Sequence, residues 1–121
     1  MARKILVVDD SSIMRQMVAF TLREAGFEVQ DAVNGEDALK QLDKQTFDLV
    51  VTDLNMPVMD GIAFIECARK LPTSRYTPIL MLTTEGGMQR KMQGKTAGAT
   101  GWIVKPFDPP KLLAVVAKVL P

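Results

Sequence analysis

Val51-Thr52-Asp53-Leu54-Asn55-Met56-Pro57-Val58-Met59-Asp60-Gly61 joins the end of an apolar run to a loop punctuated by proline and glycine, with an acid at the junction. An apolar run without alternation suits a strand buried on both faces, as found in parallel sheets sandwiched between helices. In open sheets of that kind ligands occupy the crevice beyond the carboxyl ends of the strands, so Asp53 stands where chemistry is done. The structural alternative is a strand-end aspartate that caps the next loop. The neighbouring segments decide between the two.

Residues 47–52 form the strand that delivers Asp53, with Leu49-Val50-Val51 as its apolar centre. Beyond the loop, Asp60 is a candidate N-cap. Ile62, Ile65, Ala68 and Leu71 then recur at helical spacing until Pro72 forbids continuation. Upstream, Ile5-Leu6-Val7-Val8 is a second unalternated apolar run and ends in Asp9-Asp10. Ser11-Ser12 offers cap oxygens for a helix carrying Met14, Met17, Val18, Leu22 and Ala25, which Gly26 stops. Residues 27–33 make a weaker strand whose polar Glu28, Gln30 and Asp31 suit a sheet edge. Asn34-Gly35 turns the chain into a helix marked by Ala38, Leu39 and Leu42.

Downstream, Ile79-Leu80-Met81-Leu82 is a fourth strand that ends in Thr83-Thr84-Glu85. Residues 85–98 are expected to be helical although Gly86, Gly87 and Gly94 interrupt them, each interior glycine costing about 1 kcal/mol relative to alanine. Gly101-Trp102-Ile103-Val104 is the fifth strand, terminated by Lys105-Pro106-Phe107. Asp108 is placed to cap a last helix, with Pro109 in its first turn and Leu112, Leu113, Val116 and Leu120 on its inner stripe. Alternating strands and helices of this kind predict an α/β fold, a parallel sheet covered on both faces by right-handed crossovers.

At 121 residues the chain has the size of one domain, and residues 1–121 are expected to form a single one. A formal net charge of +1 gives no field that would steer the whole molecule to nucleic acid or to an anionic membrane. One cysteine, Cys67, leaves no internal disulfide and is expected to be a small core residue. Without an apolar leader or spanning stretch, a cytoplasmic location is the expectation. The chain has no histidine, which removes Ser-His-Asp and Cys-His catalysis together with most transition-metal sites. Carboxylates and lysine must carry any chemistry, and hard oxygen donors favour Mg²⁺, Mn²⁺ or Ca²⁺.

Four of the five predicted strands end in a distinctive polar group: Asp9-Asp10, Asp53, Thr83 and Lys105. Parallel strands bring those ends together, and crowded carboxylates need a proton or a cation to compensate them. In this order, Val-Val-Asp9-Asp10, Asp53-Leu-Asn-Met-Pro-Val-Met-Asp-Gly, Leu-Thr83-Thr and Gly-Trp-Ile-Val-Lys105-Pro-Phe resemble the receiver domain of two-component response regulators across essentially the whole chain. The stand-alone chemotaxis regulators of that family are the most similar. The resemblance implies a flavodoxin-like doubly wound sheet of strand order 2-1-3-4-5 with five helices and no output domain.

It also implies roles. Asp53 accepts a phosphoryl group. Asp10, Asp53 and the Asn55 backbone carbonyl bind Mg²⁺, or Mn²⁺ in its place, with Asp9 supporting through water. The Thr83 hydroxyl and Lys105 ammonium contact the phosphoryl oxygens. Asn55 and Glu85 tune loss of the phosphate, and Thr83 with Trp102 forms the switch. The implied partners are a histidine kinase, expected to be a chemotaxis kinase, and a protein target such as a flagellar motor switch protein. Nucleic acid and membrane are not expected, and a monomer is. Trp102 is bulkier than the tyrosine or phenylalanine usual at its place, and Gly86-Gly87 loosens the start of the fourth helix.

Three other functions compete. A phosphorelay intermediate or phosphate sink in another pathway would use the same residues. A phosphatase of the haloacid-dehalogenase type also forms an aspartyl phosphate with Mg²⁺, but wants a second aspartate where Asn55 stands. A flavin-binding module of the same architecture would meet its phosphate with Asp9-Asp10, whose carboxylates repel it.

Overall fold

The computed structural model describes residues 2–56, 58–83, 88–104 and 108–120. In chain order the elements are β1 (Lys4–Val8), α1 (Ser12–Glu24), β2 (Glu28–Ala32), α2 (Gly35–Lys44) and β3 (Leu49–Asp53). α3 (Gly61–Ala68), β4 (Ile79–Thr83), α4 (Met88–Ala97), β5 (Gly101–Val104) and α5 (Pro109–Val119) follow. The strands are all parallel in the order β2-β1-β3-β4-β5, the doubly wound arrangement that the family resemblance implies.

Alternation along each strand divides the core in two. Leu6, Val8, Val50, Ile79 and Met81 face α2 and α3, where Ala38, Leu42, Phe64, Ile65 and Ala68 close one cluster. Ile5, Val7, Leu49, Val51, Leu80 and Leu82 face α1 and α5, meeting Val18, Ala19, Leu22, Leu112 and Val116. Apolar residues in consecutive positions are thus buried on opposite faces, which explains the unbroken apolar runs of β1, β3 and β4.

Local chemistry fixes the helix starts. The Ser11 hydroxyl accepts from the Met14 amide (3.3 Å), the Asn34 side-chain carbonyl from Asp37 (2.8 Å) and the Asp60 carboxylate from Ala63 (2.9 Å). Asn34, expected only to turn the chain, is therefore the N-cap of α2. Asp108 holds the N-cap position of α5 but makes no capping hydrogen bond. Pro109 and Pro110 fill the first two helical positions, so only the later amides of that turn could serve a cap.

Three core expectations shift. Met17 and Ala25 are exposed while Ala19 is buried, because the inner stripe of α1 runs through Val18, Ala19 and Leu22 and Ala25 stands at the C-cap. Ile62 packs on the core only in part, and the inner face of α3 is completed by Phe64. Cys67 is half-buried rather than in the core, between the flanks of α2 and α3 beside Leu39 and Leu71.

The one glycine within the described part of α4 has a packing reason. A side chain at Gly94 would collide with the Met81 thioether, so the missing Cβ lets the helix settle on β4. Gly86 and Gly87 lie outside the described residues. At the far end of α4, Arg69 donates to the carbonyls of Gly98, Ser74, Arg75 and Thr77, tying the helix terminus to the connection before β4. Burial draws the Arg69 pKa below the usual arginine value. Among the described residues no helix is long and apolar enough to cross a membrane.

Candidate functional site

The strand order reverses between β1 and β3, which makes their shared carboxyl end the crevice where such sheets place ligands. Val8 is paired with Thr52, so Asp9 and Asp53 follow side by side. Asp9 is 3% exposed and Asp53 7%, while Asp10 is exposed. One carboxylate oxygen from each of Asp9, Asp10 and Asp53 lies within 4.8 Å of the other two. Residues from two separate strand ends thereby form one acidic cluster, as the strand-end argument required.

Each buried acid is held by its own loop. The Asp53 carboxylate accepts from the Leu54 amide (2.9 Å), and the Thr52 hydroxyl donates to the Asp53 carbonyl (2.9 Å). Asp9 accepts from the Ser11 amide at 2.9 Å. The Gly61 amide donates to the Leu54 carbonyl (2.7 Å), folding the loop back so that α3 starts directly beside the acid. Asn55 sits exposed in this loop. Val58 has φ of 75°, a left-handed conformation that a β-branched residue rarely adopts, so this loop stores strain beside the acids.

Thr83 follows Leu82, the β4 residue paired with Asp53, and is buried. Thr83 is paired in turn with Val104, the residue before Lys105. Lys105 and Glu85 themselves lie outside the described residues. Trp102 on the edge strand β5 is 39% exposed, and the Lys91 ammonium of α4 stands 5.1 Å from its ring centroid. A groove of about 720 Å³ between α3 and α4, lined by Asp60, Ile62, Glu66, Arg90 and Met92 among others, does not include the three acids.

The donor set suits a small hard cation. Carboxylate oxygens from three residues gathered within 4.8 Å of one another are the hard donors that Mg²⁺ takes, and they would draw closer together around a bound ion. Three carboxylates also supply the charge such an ion needs. Sequence reasoning missed Arg15, whose guanidinium donates to the Asp9 carbonyl (2.9 Å) and to Asp31 (2.9 Å). Its sequence signal is an arginine shortly after Asp10, on a helix otherwise marked by its apolar stripe.

The model of the response regulator receiver domain family matches residues 5–117. The chain belongs to that family. Receiver domains are signalling domains, and the solved structure of Vibrio cholerae chemotaxis protein CheY4 is similar at 48% identity and a TM-score of 0.95. That match covers 98% of this chain and 99% of CheY4. Vibrio cholerae chemotaxis protein CheY-3 is 42% identical over 117 residues, 96% of this chain and 90% of that protein. The phosphate regulon transcriptional regulatory protein PhoB of Escherichia coli is 37% identical over 120 residues, 99% of this chain. The chain spans about half the length of PhoB, 52%.

Proposed function

We propose that this receiver domain is a phosphoacceptor that takes a phosphoryl group on Asp53 from a histidine kinase and presents a different partner surface in its two states. The observation that carries it is the convergence of Asp9, Asp10 and Asp53 at the β1–β3 switch point. In the transfer, a lone pair of the Asp53 carboxylate forms the new bond to phosphorus as the phosphorus–nitrogen bond of a phosphohistidine breaks, and the imidazole leaves. The donor histidine lies outside these 121 residues, which include none.

Asp10, Asp53 and the Asn55 backbone carbonyl hold Mg²⁺ in this proposal, with Asp9 behind them. Bound there, the ion offsets carboxylate repulsion and spreads the charge of the transferring group. Thr83 and Lys105 meet the phosphoryl oxygens, for which a compact ammonium and a hydroxyl are suitable donors. Asn55 and Glu85 flank the phosphoryl group and govern access of water. Thr83 then moves toward the acceptor, Trp102 turns inward, and the surface of α4, β5 and α5 changes shape.

The likeness to CheY4 and CheY-3 supports a role in chemotaxis, with a chemotaxis kinase upstream and a flagellar motor switch protein as target. The match to PhoB supports a second reading, the same phosphoacceptor chemistry serving another pathway as a relay or phosphate sink. Acetyl phosphate with Mg²⁺ is expected to add one hydroxylamine-labile phosphoryl group per chain, acetate leaving, and Asp53→Asn to prevent it because an amide is a poor nucleophile. Labelling of the Asp53→Asn variant at the wild-type rate would move the acceptor elsewhere. Steady multiple-turnover release of phosphate from a generic phosphate ester would favour a phosphatase instead.

A further inference from the structure

Among the described residues Asp9 is held at its amide, its carboxylate and its carbonyl, and the grip on the carbonyl comes from a different part of the fold. Its amide donates to the Ala32 carbonyl at the end of β2 (3.2 Å), and its carboxylate accepts from the Ser11 amide (2.9 Å). Its carbonyl accepts from one Arg15 terminal nitrogen at 2.9 Å. The Arg15 Nε is in turn bonded to the Asp31 carboxylate of β2 at 2.9 Å, and the arginine side chain is only 13% exposed. One guanidinium therefore spans α1, β2 and the loop that carries two of the three acids.

We propose that Arg15 is the positioning residue of the acidic site, fixing the β1–α1 loop so that Asp9 and Asp10 meet a cation in register with Asp53. The inference rests on the metal-binding reading above. Two donors on separate nitrogens, one aimed at a carboxylate and one at a carbonyl, need the planar arginine fork; a lysine ammonium is a single point charge and does not reproduce it. Groups that orient metal ligands from behind are commonly worth roughly 10- to 100-fold in metal affinity.

Positioning and simple electrostatics predict opposite signs. Deleting the Arg15 cation leaves Asp31 uncompensated near the acids, so a purely electrostatic role makes Arg15→Gln bind Mg²⁺ more tightly. A positioning role makes it bind more weakly. Arg15→Lys separates them again, because it keeps the charge and loses the fork.

The experiment is calorimetric titration of the whole protein with Mg²⁺, together with amide hydrogen exchange in the absence of metal. About a tenfold or greater loss of Mg²⁺ affinity is expected in both Arg15→Gln and Arg15→Lys, with faster exchange at the Asp9 and Ser11 amides before any metal is added. Circular dichroism checks that each variant is folded, and the lysine variant covers the case in which the glutamine variant is not. Wild-type affinity in Arg15→Lys, or tighter binding by Arg15→Gln, would overturn the proposal. A lowered melting temperature with unchanged affinity would overturn it as well, leaving a scaffold role. Failure of the wild-type protein to bind Mg²⁺ would instead overturn the metal-site reading on which the inference stands.

Discussion

Gly61→Ala tests whether the approach of α3 to the acceptor strand is as close as the backbone geometry requires. A Cβ at position 61 would collide with the Asp53 carbonyl oxygen and lie 2.8 Å from the Leu54 α-carbon and 3.1 Å from the Leu54 Cδ2. Carbon atoms that touch without strain are about 3.5 to 4.0 Å apart, so the gap to the Leu54 α-carbon alone is short by roughly 0.7 Å or more. The obstacle is backbone, not the tip of a flexible side chain. It cannot recede easily, because β3 is paired with β1 on one side and β4 on the other, and the Gly61 amide is bonded to the Leu54 carbonyl at 2.7 Å. Overpacking of this kind costs about 1 to 3 kcal/mol, against a helix-propensity gain for alanine of at most about 1 kcal/mol, reduced at a first helical position. A net loss of roughly 2 kcal/mol lowers the melting temperature of a domain this size by about 6 to 10 °C. Gly94→Ala is the control, since its Cβ meets chiefly the Met81 thioether, which can rearrange, and the gain in helix propensity offsets that cost. Thermal denaturation followed by circular dichroism compares the two. A Gly61→Ala variant that melts within about 1 °C of wild type, or no lower than Gly94→Ala, would refute the reasoning.

Arg69→Met removes donors to four carbonyls, Gly98 at the C-terminal end of α4 and Ser74, Arg75 and Thr77 before β4, and is expected to cost about 2 to 4 kcal/mol in chemical denaturation, with exchange rising first at residues 98–100. Saturation with Mg²⁺ at about 100 times its dissociation constant should stabilise the native state by roughly 2.7 kcal/mol, and Asp10→Ala should abolish that gain in melting temperature. Lys91→Ala removes the cation that stands over the Trp102 ring as it is placed here, an interaction of about 0.5 to 1 kcal/mol, and should shift the ring toward an inward position by roughly two- to fivefold. The readout is the fluorescence of this only tryptophan with beryllofluoride and Mg²⁺; the response beyond Mg²⁺ alone should be blunted in Thr83→Ala and reached more readily in Lys91→Ala.

What the sequence made legible is what one element says about itself. The unalternated runs ending at Val8, Asp53 and Thr83 disclosed buried parallel strands, and the polar residue that closes each run disclosed the crevice. The strand order came from family resemblance, because strands buried on both faces carry little information on which neighbour lies where. In α1, Val18 and Leu22 are buried as the spacing predicts, but helical spacing alone favours the large Met17 over the small Ala19, and packing chooses the smaller.

The illegible part is the part that crosses elements. Arg15 binds a carbonyl on one loop and a carboxylate on another strand, Arg69 binds carbonyls from two segments, and Gly61 is glycine because of a backbone brought beside it by the fold. No periodicity marks such residues, since their partners are mostly main-chain atoms that every residue possesses. In this chain the acids that do the proposed chemistry announce themselves by type, whereas the groups that aim them are identified only by what they touch. That asymmetry has a physical cause. A carboxylate cluster is unfavourable unless its geometry is fixed closely enough for a cation to offset the repulsion. The loops that carry the acids supply part of that fixing through the Ser11 and Leu54 amides, and Arg15 from α1 and Gly61 from α3 supply the rest from outside those loops.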